Sequence, residues 1–195
     1  MHSKYHLLSL LVAAFLTFPA TGNAQDRGDI SAIPANLSAK EDQTTKIRFL
    51  LSAHHQLPDR LTFQSVSEDP AAILREIVSA GPEKRVLDRC LEALAYWPNK
   101  NVHALYGSLL RDPSLAQSSQ HRLLLLMAKT FPADAMDAIE PFLADNTDRQ
   151  LRLTAIHALG SMETPEAQRR LAKLGETSQD ALIMNAVTRA SRSIR

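Results

Sequence analysis

The sequence holds one cysteine, Cys90, so no disulfide can form within the chain, and its stability must come from a packed core. Aromatic residues are only 5% of the whole. Neither sign of charge dominates: 22 Lys and Arg against 21 Asp and Glu leave a net +1, which disfavours general nucleic-acid binding. No apolar run reaches the roughly 20 residues needed to span a bilayer; the longest uncharged one, Leu7 to Phe18, is shorter. There is no G-x-S-x-G elbow, phosphate-binding loop or dinucleotide fingerprint, and no H-E-x-x-H or C-x-x-C, which removes the common signatures of hydrolases, nucleotide enzymes and zinc sites.

What is present begins with Lys4, the apolar run, Pro19 and "ATGNA". Gly22 and Ala24 stand at the −3 and −1 positions a signal peptidase accepts. The layout predicts a secretory signal peptide over residues 1–24, cleaved after Ala24. No cysteine follows the run, so no lipid anchor is expected, nor any stable membrane anchor after cleavage. Residues 25–37 mix Gly, Pro and charge and read as a flexible leader; their Arg27-Gly28-Asp29 triplet has no context that would make it an adhesion signal.

Beyond the leader, residues 38–195 read as one all-α domain, with no strand pattern and abundant Ala and Leu. Ser38 to Glu41 has capping-box spacing and opens a helix to about Leu57. Leu57 to Glu68 reads as an irregular link. Asp69-Pro70 starts the next helix, which ends near Gly81-Pro82. Glu83 to Trp97 is strongly amphipathic, with Val86, Leu87, Cys90, Leu91, Leu94 and Trp97 on one face. Helices follow over 101–110, from a cap at Ser118 or Ser119 to Phe131, over 133–144, 148–160 and 165–174, and finally over 178–193.

These helices form similar pairs. Aligning Cys90, Leu124, Ala155 and Ala186, and with them Leu91, Leu125, Ile156 and Val187, gives offsets of about 34, 31 and 31 residues. The clearest repeats are 83–113, 118–146 and 148–176, with a terminal helix over 178–193. One pair cannot cover its own apolar stripe; a stacked neighbour does. The stretch Leu151 to Glu176 resembles the HEAT-like repeat, in the short form first recognised in phycobilisome lyases, through the Arg152 and Ala155 spacing, "ALG" at Ala158 to Gly160 and "PEA" at Pro165 to Ala167. Ala95 and Lys129 replace Gly160 at the equivalent turns of the earlier repeats. The resemblance implies a right-handed α-solenoid of helical hairpins. The tetratricopeptide repeat ranks second and a compact helical bundle third. Small Ala155, Ala158 and Gly160 fit close helix contact, and Gly160 suits a left-handed turn.

Cys90 sits among apolar neighbours and reads as a buried, inert thiol. His54-His55 is the only histidine pair, and adjacent helical residues point about 100° apart, so no metal site and no cofactor are expected. His157 reads as partly exposed rather than a general base, and Asp69, Glu83, Glu163, Glu166 and Asp180 as carboxylates offsetting helix N-termini. In stacked helical pairs the second helices line the concave side. Here they carry Asn101, His103, Tyr106 and Arg111, then Asp134, Asp137 and Glu140, then Glu166, Arg169, Arg170 and Lys173, so that charge runs from mixed to acidic to basic. Arg189, Arg192 and Arg195 recur every third residue and form a stripe that either caps the last helix or receives an acidic partner. Candidate partner contacts are therefore His103, Tyr106, Asp137, Glu140, Arg169, Arg170, Lys173, Arg189 and Arg192. The expected role is a non-enzymatic scaffold or adaptor, soluble in the periplasm, that binds a partner protein on its concave face. The alternative is an enzyme or cofactor-attachment accessory with a site assembled between repeats.

Overall fold

A computed structural model describes residues 39–53 and 56–193. The expected signal peptide, the leader with its Arg27-Gly28-Asp29, Ser38, the His54-His55 pair and Arg195 lie outside the described residues. The described chain is all-helical, with no strand: α1 (Ala39–Ala53), α2 (Arg60–Gln64), α3 (Pro70–Ser79), α4 (Lys84–Leu94), α5 (Lys100–Leu110), α6 (Gln117–Thr130), α7 (Met136–Ile139) running into a 3-10 turn (Glu140–Leu143), α8 (Arg149–Met162), α9 (Pro165–Thr177) and α10 (Ala181–Ser193). No helix among the described residues is long and apolar enough to cross a membrane.

Short polar side chains start these helices by accepting from N–H groups that have no partner within the first turn. Asp69 accepts from Ala72, Asn99 from Asn101 and Val102, Asp148 from Gln150 and Leu151, Thr164 from Ala167, and Asp180 from Leu182. Pro70 and Pro165 occupy first-turn positions where the missing N–H costs nothing. Asp59 caps α2 through Thr62, so the link expected to be irregular contains a one-turn helix that anchors Phe63 in the core.

Alternate helices lie against one another: α4 against α6, α6 against α8, and α8 against α10. α5 flanks α6, α7 lies against α6 and α8, and α9 against α8 and α10, while α1 and α3 close on α4. The buried residues fix the register. Leu91, Leu124, Ile156 and Val187 are buried at equivalent depths, as are Leu94, Met127, Leu159 and Ala190. The alignment expected from sequence placed Leu125 in the first series, yet Leu125 is 37% exposed. The repeat offset from α4 to α6 is thus one residue shorter, and Ala128, not Lys129, corresponds to Gly160.

Polar contacts between neighbouring helices keep nearly the same spacing. Glu92 accepts from Arg122, 30 residues on; Asp88 from Ser119, at 31; and Asp148 from Gln117, at 31. His121 meets Thr154 at 33. Asp88 and Ser119 are both buried. Ser119, expected as a cap, instead lies inside α6 and donates to Asp88 Oδ1 at 2.6 Å, while Lys84 donates to Oδ2 at 2.8 Å. Burial alone would push the Asp88 carboxyl up; the bonds from Lys84 and Ser119 and the charges of Lys84 and Arg122 outweigh it and hold the group below its ordinary value. A group with a depressed folded value stabilises the fold above its unfolded value and loses that contribution as pH falls through the folded one. Ser119→Ala, which strips a buried carboxylate of one donor, is expected to cost about 1–3 kcal/mol at neutral pH. Denaturant titrations should show that cost shrinking as pH drops below about 4, where the unfolded chain's Asp88 protonates.

Cys90 is fully buried and its thiol is pushed up to about 12 by burial, leaving almost no thiolate at neutral pH. Arg152 is buried and reaches out of α8 to Asp145 at 2.6 Å.

Gly160 departs from its expected role. It is helical within α8, and the left-handed residue that ends the helix is Glu163, at φ 54°. A side chain at 160 would place its Cβ 2.8 Å from the Ala190 Cβ, so the glycine is required by the close approach of α10. Gly81, after α3, does adopt a left-handed φ of 65°.

Candidate functional site

The second helices α5, α7 and α9 frame a groove made of two adjoining cavities. The larger, about 740 Å³, is lined by the start of α5 (Lys100 and His103, with Pro98 and Asn99 before it), by Phe131, Ala133 and Asp134 in the turn after α6, and by Met136, Asp137 and Glu166. The smaller, about 370 Å³, is lined by Met136, Asp137, Glu140, Glu166, Arg169, Arg170 and Lys173. Met136, Asp137 and Glu166 line both, so the two form one continuous depression.

Its breadth follows from the middle hairpin. A helix was expected over 133–144, but Pro132 to Asp134 form a turn, α7 has four residues, and Glu140–Leu143 tighten into a 3-10 turn. Pro141 has no N–H to donate to Asp137, so the α-helical ladder cannot continue through it. The flanking second helices are longer, with 11 residues in α5 and 13 in α9. The shortened element between them leaves open space at the Met136 side chain.

Among the residues expected to contact a partner, His103, Asp137, Glu140, Arg169, Arg170 and Lys173 all line this groove. Tyr106 does not. It is fully buried, packs its ring against Phe131, and donates its hydroxyl to the Leu91 carbonyl. Burial and the nearby Glu92 raise its phenol well above the ordinary range. Tyr106 is a core residue joining α5 to α4 and is unavailable to a partner. Asn101 and Arg111 likewise do not line either cavity.

His103 is half-buried, its ring edge-on to Phe131 with centroids 5.1 Å apart and its Nε2 3.1 Å from the Asp134 carbonyl. This bond ties α5 to the turn after α6 beside the larger cavity, which both residues line. Glu140 and Arg170 meet across the smaller one. The Arg170 Nε donates to both carboxylate oxygens, at 2.9 and 2.8 Å, and the pair is again 30 residues apart. The expected lengthwise charge gradient is therefore folded: the acidic α7 faces the basic α9 across one depression, and one pair of opposite charges neutralises itself.

Arg189 and Arg192 lie exposed on α10 and do not line the groove. That helix is not a purely polar cap, since Leu182 is 53% and Met184 45% exposed. Of the carboxylates expected at helix starts, Asp69 and Asp180 make capping bonds, Glu166 lies in the first turn of α9, and Glu163 sits at the end of α8. Glu83 precedes α4 without a side-chain cap bond. His157 is exposed on α8.

The groove's apolar parts, Met136 and Phe131, and its Lys100 were missed in the sequence. A lone methionine between Ala135 and Asp137 carries no pattern, and it is half-buried at the edge of the core. The sole readable signal was the pair of prolines, Pro132 and Pro141, around a short segment.

Chemically the groove offers carboxylates, ammonium and guanidinium groups, the His103 imidazole and a thioether, with no serine, threonine or cysteine among its lining residues. Among the described residues, no group of three or more His, Cys, Asp or Glu stands where it could hold a metal ion. Such a set recognises by charge and shape. No known protein family, curated protein or solved structure matches the chain in comparison.

Proposed function

We propose that this chain is a right-handed α-solenoid of HEAT-like hairpins that serves as a non-enzymatic scaffold, binding a partner protein on the concave face formed by α5, α7 and α9. The observation that supports this reading is the similar spacing of contacts between neighbouring elements from α4 onward. Bonds at 30 to 33 residues recur from Asp88 with Ser119 through to Arg170 with Glu140, as stacked equivalent modules would produce, while contacts nearer the N-terminus, Lys40 with Glu76 and Tyr96 with the Pro58 carbonyl, lie 36 and 38 residues apart. Stacking that places first helices together leaves second helices to line a groove, and the groove here is open and charged. The signal-peptide layout of residues 1–24 supports a periplasmic location.

A photo-crosslinking residue placed at Met136, on the groove floor, and another at Ser191, exposed on α10, separate this reading from binding elsewhere. In cells, position 136 should give one discrete protein adduct in the periplasmic fraction and position 191 none. An adduct from 191 alone, or a chain retained in the cytoplasm with its N-terminus intact, would refute the assignment.

A further inference from the structure

The larger cavity gathers Asp134, Asp137 and Glu166 against few cations, whereas the smaller ends in Arg169 and Lys173. Asp137 and Glu166 come from different helices and line both cavities, as Met136 does. Nearby Glu140 satisfies Arg170, yet among the described residues neither Asp137 nor Glu166 has an ion pair or a side-chain hydrogen bond. Two carboxylates lining one concave site reinforce each other's field, and an incoming cation relieves it. A methionine beside them offers an adaptable apolar surface for an aliphatic stem. Phosphate-rich ligands fit poorly, because three carboxylates would face them.

Resting on the partner-binding reading above, we propose that the groove takes an extended segment of the partner protein bearing a lysine or arginine and, further along, a carboxylate. The cation lies between Asp137 and Glu166 with its stem on Met136. The carboxylate lies toward Arg169 and Lys173. The opposed charges at the two ends then fix the direction of the bound segment.

Selection of phage-displayed random octapeptides on the folded chain tests this, followed by anisotropy titration of the selected peptides after synthesis. The expected peptides share a Lys or Arg and a carboxylate in constant order. The Asp137→Asn/Glu166→Gln variant should bind them at least roughly tenfold more weakly, with the difference shrinking at high salt. Both positions are exposed, so the variant should stay folded and melt only a few degrees below the parent, the loss being that of two first-turn charges in α7 and α9. Selected peptides without that pattern, binding indifferent to the double variant, or a selection that returns nothing would each overturn the proposal. Met136→Arg, which fills the groove, separates the two levels. Peptides that lose binding to Met136→Arg but ignore the carboxylates retain the groove and discard the charge pattern. Peptides that ignore Met136→Arg discard both. Self-association abolished by Met136→Arg would assign the groove to a second copy of the chain and overturn the proposal as well.

Discussion

Leu159→Ala is expected to destabilise the protein by about 2–5 kcal/mol. Leu159 is fully buried in α8, and α8 is held between α6 and α10. A cavity there has packed helices on both sides, so little of it can collapse, and the lost contacts add to the lost transfer energy. Domains of this size are stable by only about 5–15 kcal/mol, so the melting temperature should fall by roughly 4–20 °C. The same substitution in α6 tests the register. Leu124→Ala removes a fully buried side chain and should cost a similar amount; Leu125→Ala removes one that is 37% exposed and should cost about 1 kcal/mol or less. Chemical denaturation of the three variants measures this. Equal losses at 124 and 125 would mean that α6 is rotated from the orientation described here.

Gly160→Val is expected to cost about 1–3 kcal/mol or more through overpacking. A Cβ at 160 would meet the Ala190 Cβ at 2.8 Å and its Cα at 3.0 Å, and backbone cannot step aside as a long side chain can. Gly175 supplies the control. It is also helical, in α9, but a Cβ there meets only the Val187 Cγ1 at 3.4 Å. Gly175→Ala should therefore be neutral or stabilising by up to about 1 kcal/mol, the ordinary helical gain over glycine. Ala190→Gly should recover part of the loss in a Gly160→Ala background. Thermal melts that rank Gly160 and Gly175 alike would remove the close approach of α8 and α10 as the reason for Gly160.

Much of the helix order was readable because the caps are local chemistry. Asp69-Pro70, Asp148 and Thr164-Pro165 each announce a first turn within two residues. The α6 register was not readable, because Leu123 to Leu126 is an unbroken leucine run that points around most of the helix and carries no phase. Only burial separates Leu124 from Leu125. α2 was missed because five residues are too few to show a period. α7 was overextended because Ala135, Ile139 and Leu143 keep a helical spacing straight through Pro141. In the site, charged residues on second helices were legible from the pairing of helices alone. Tyr106 was misplaced because membership of a second helix does not say which of its faces is inward, and the hydroxyl is satisfied inside by the Leu91 carbonyl. Ser119 was misread because a serine near a helix start looks like a cap, and its partner Asp88 lies 31 residues back.

The proposed arrangement of hairpins in an open row is tested most directly by methyl nuclear Overhauser contacts in a chain labelled at Leu, Ile and Val. Cross-peaks should link α4 with α6, α6 with α8, and α8 with α10, including Ile156 with the last helix, while Leu91 and Val187 share none. A cross-peak between α4 and α10 methyls would close the row into a bundle and remove the groove framed by α5, α7 and α9.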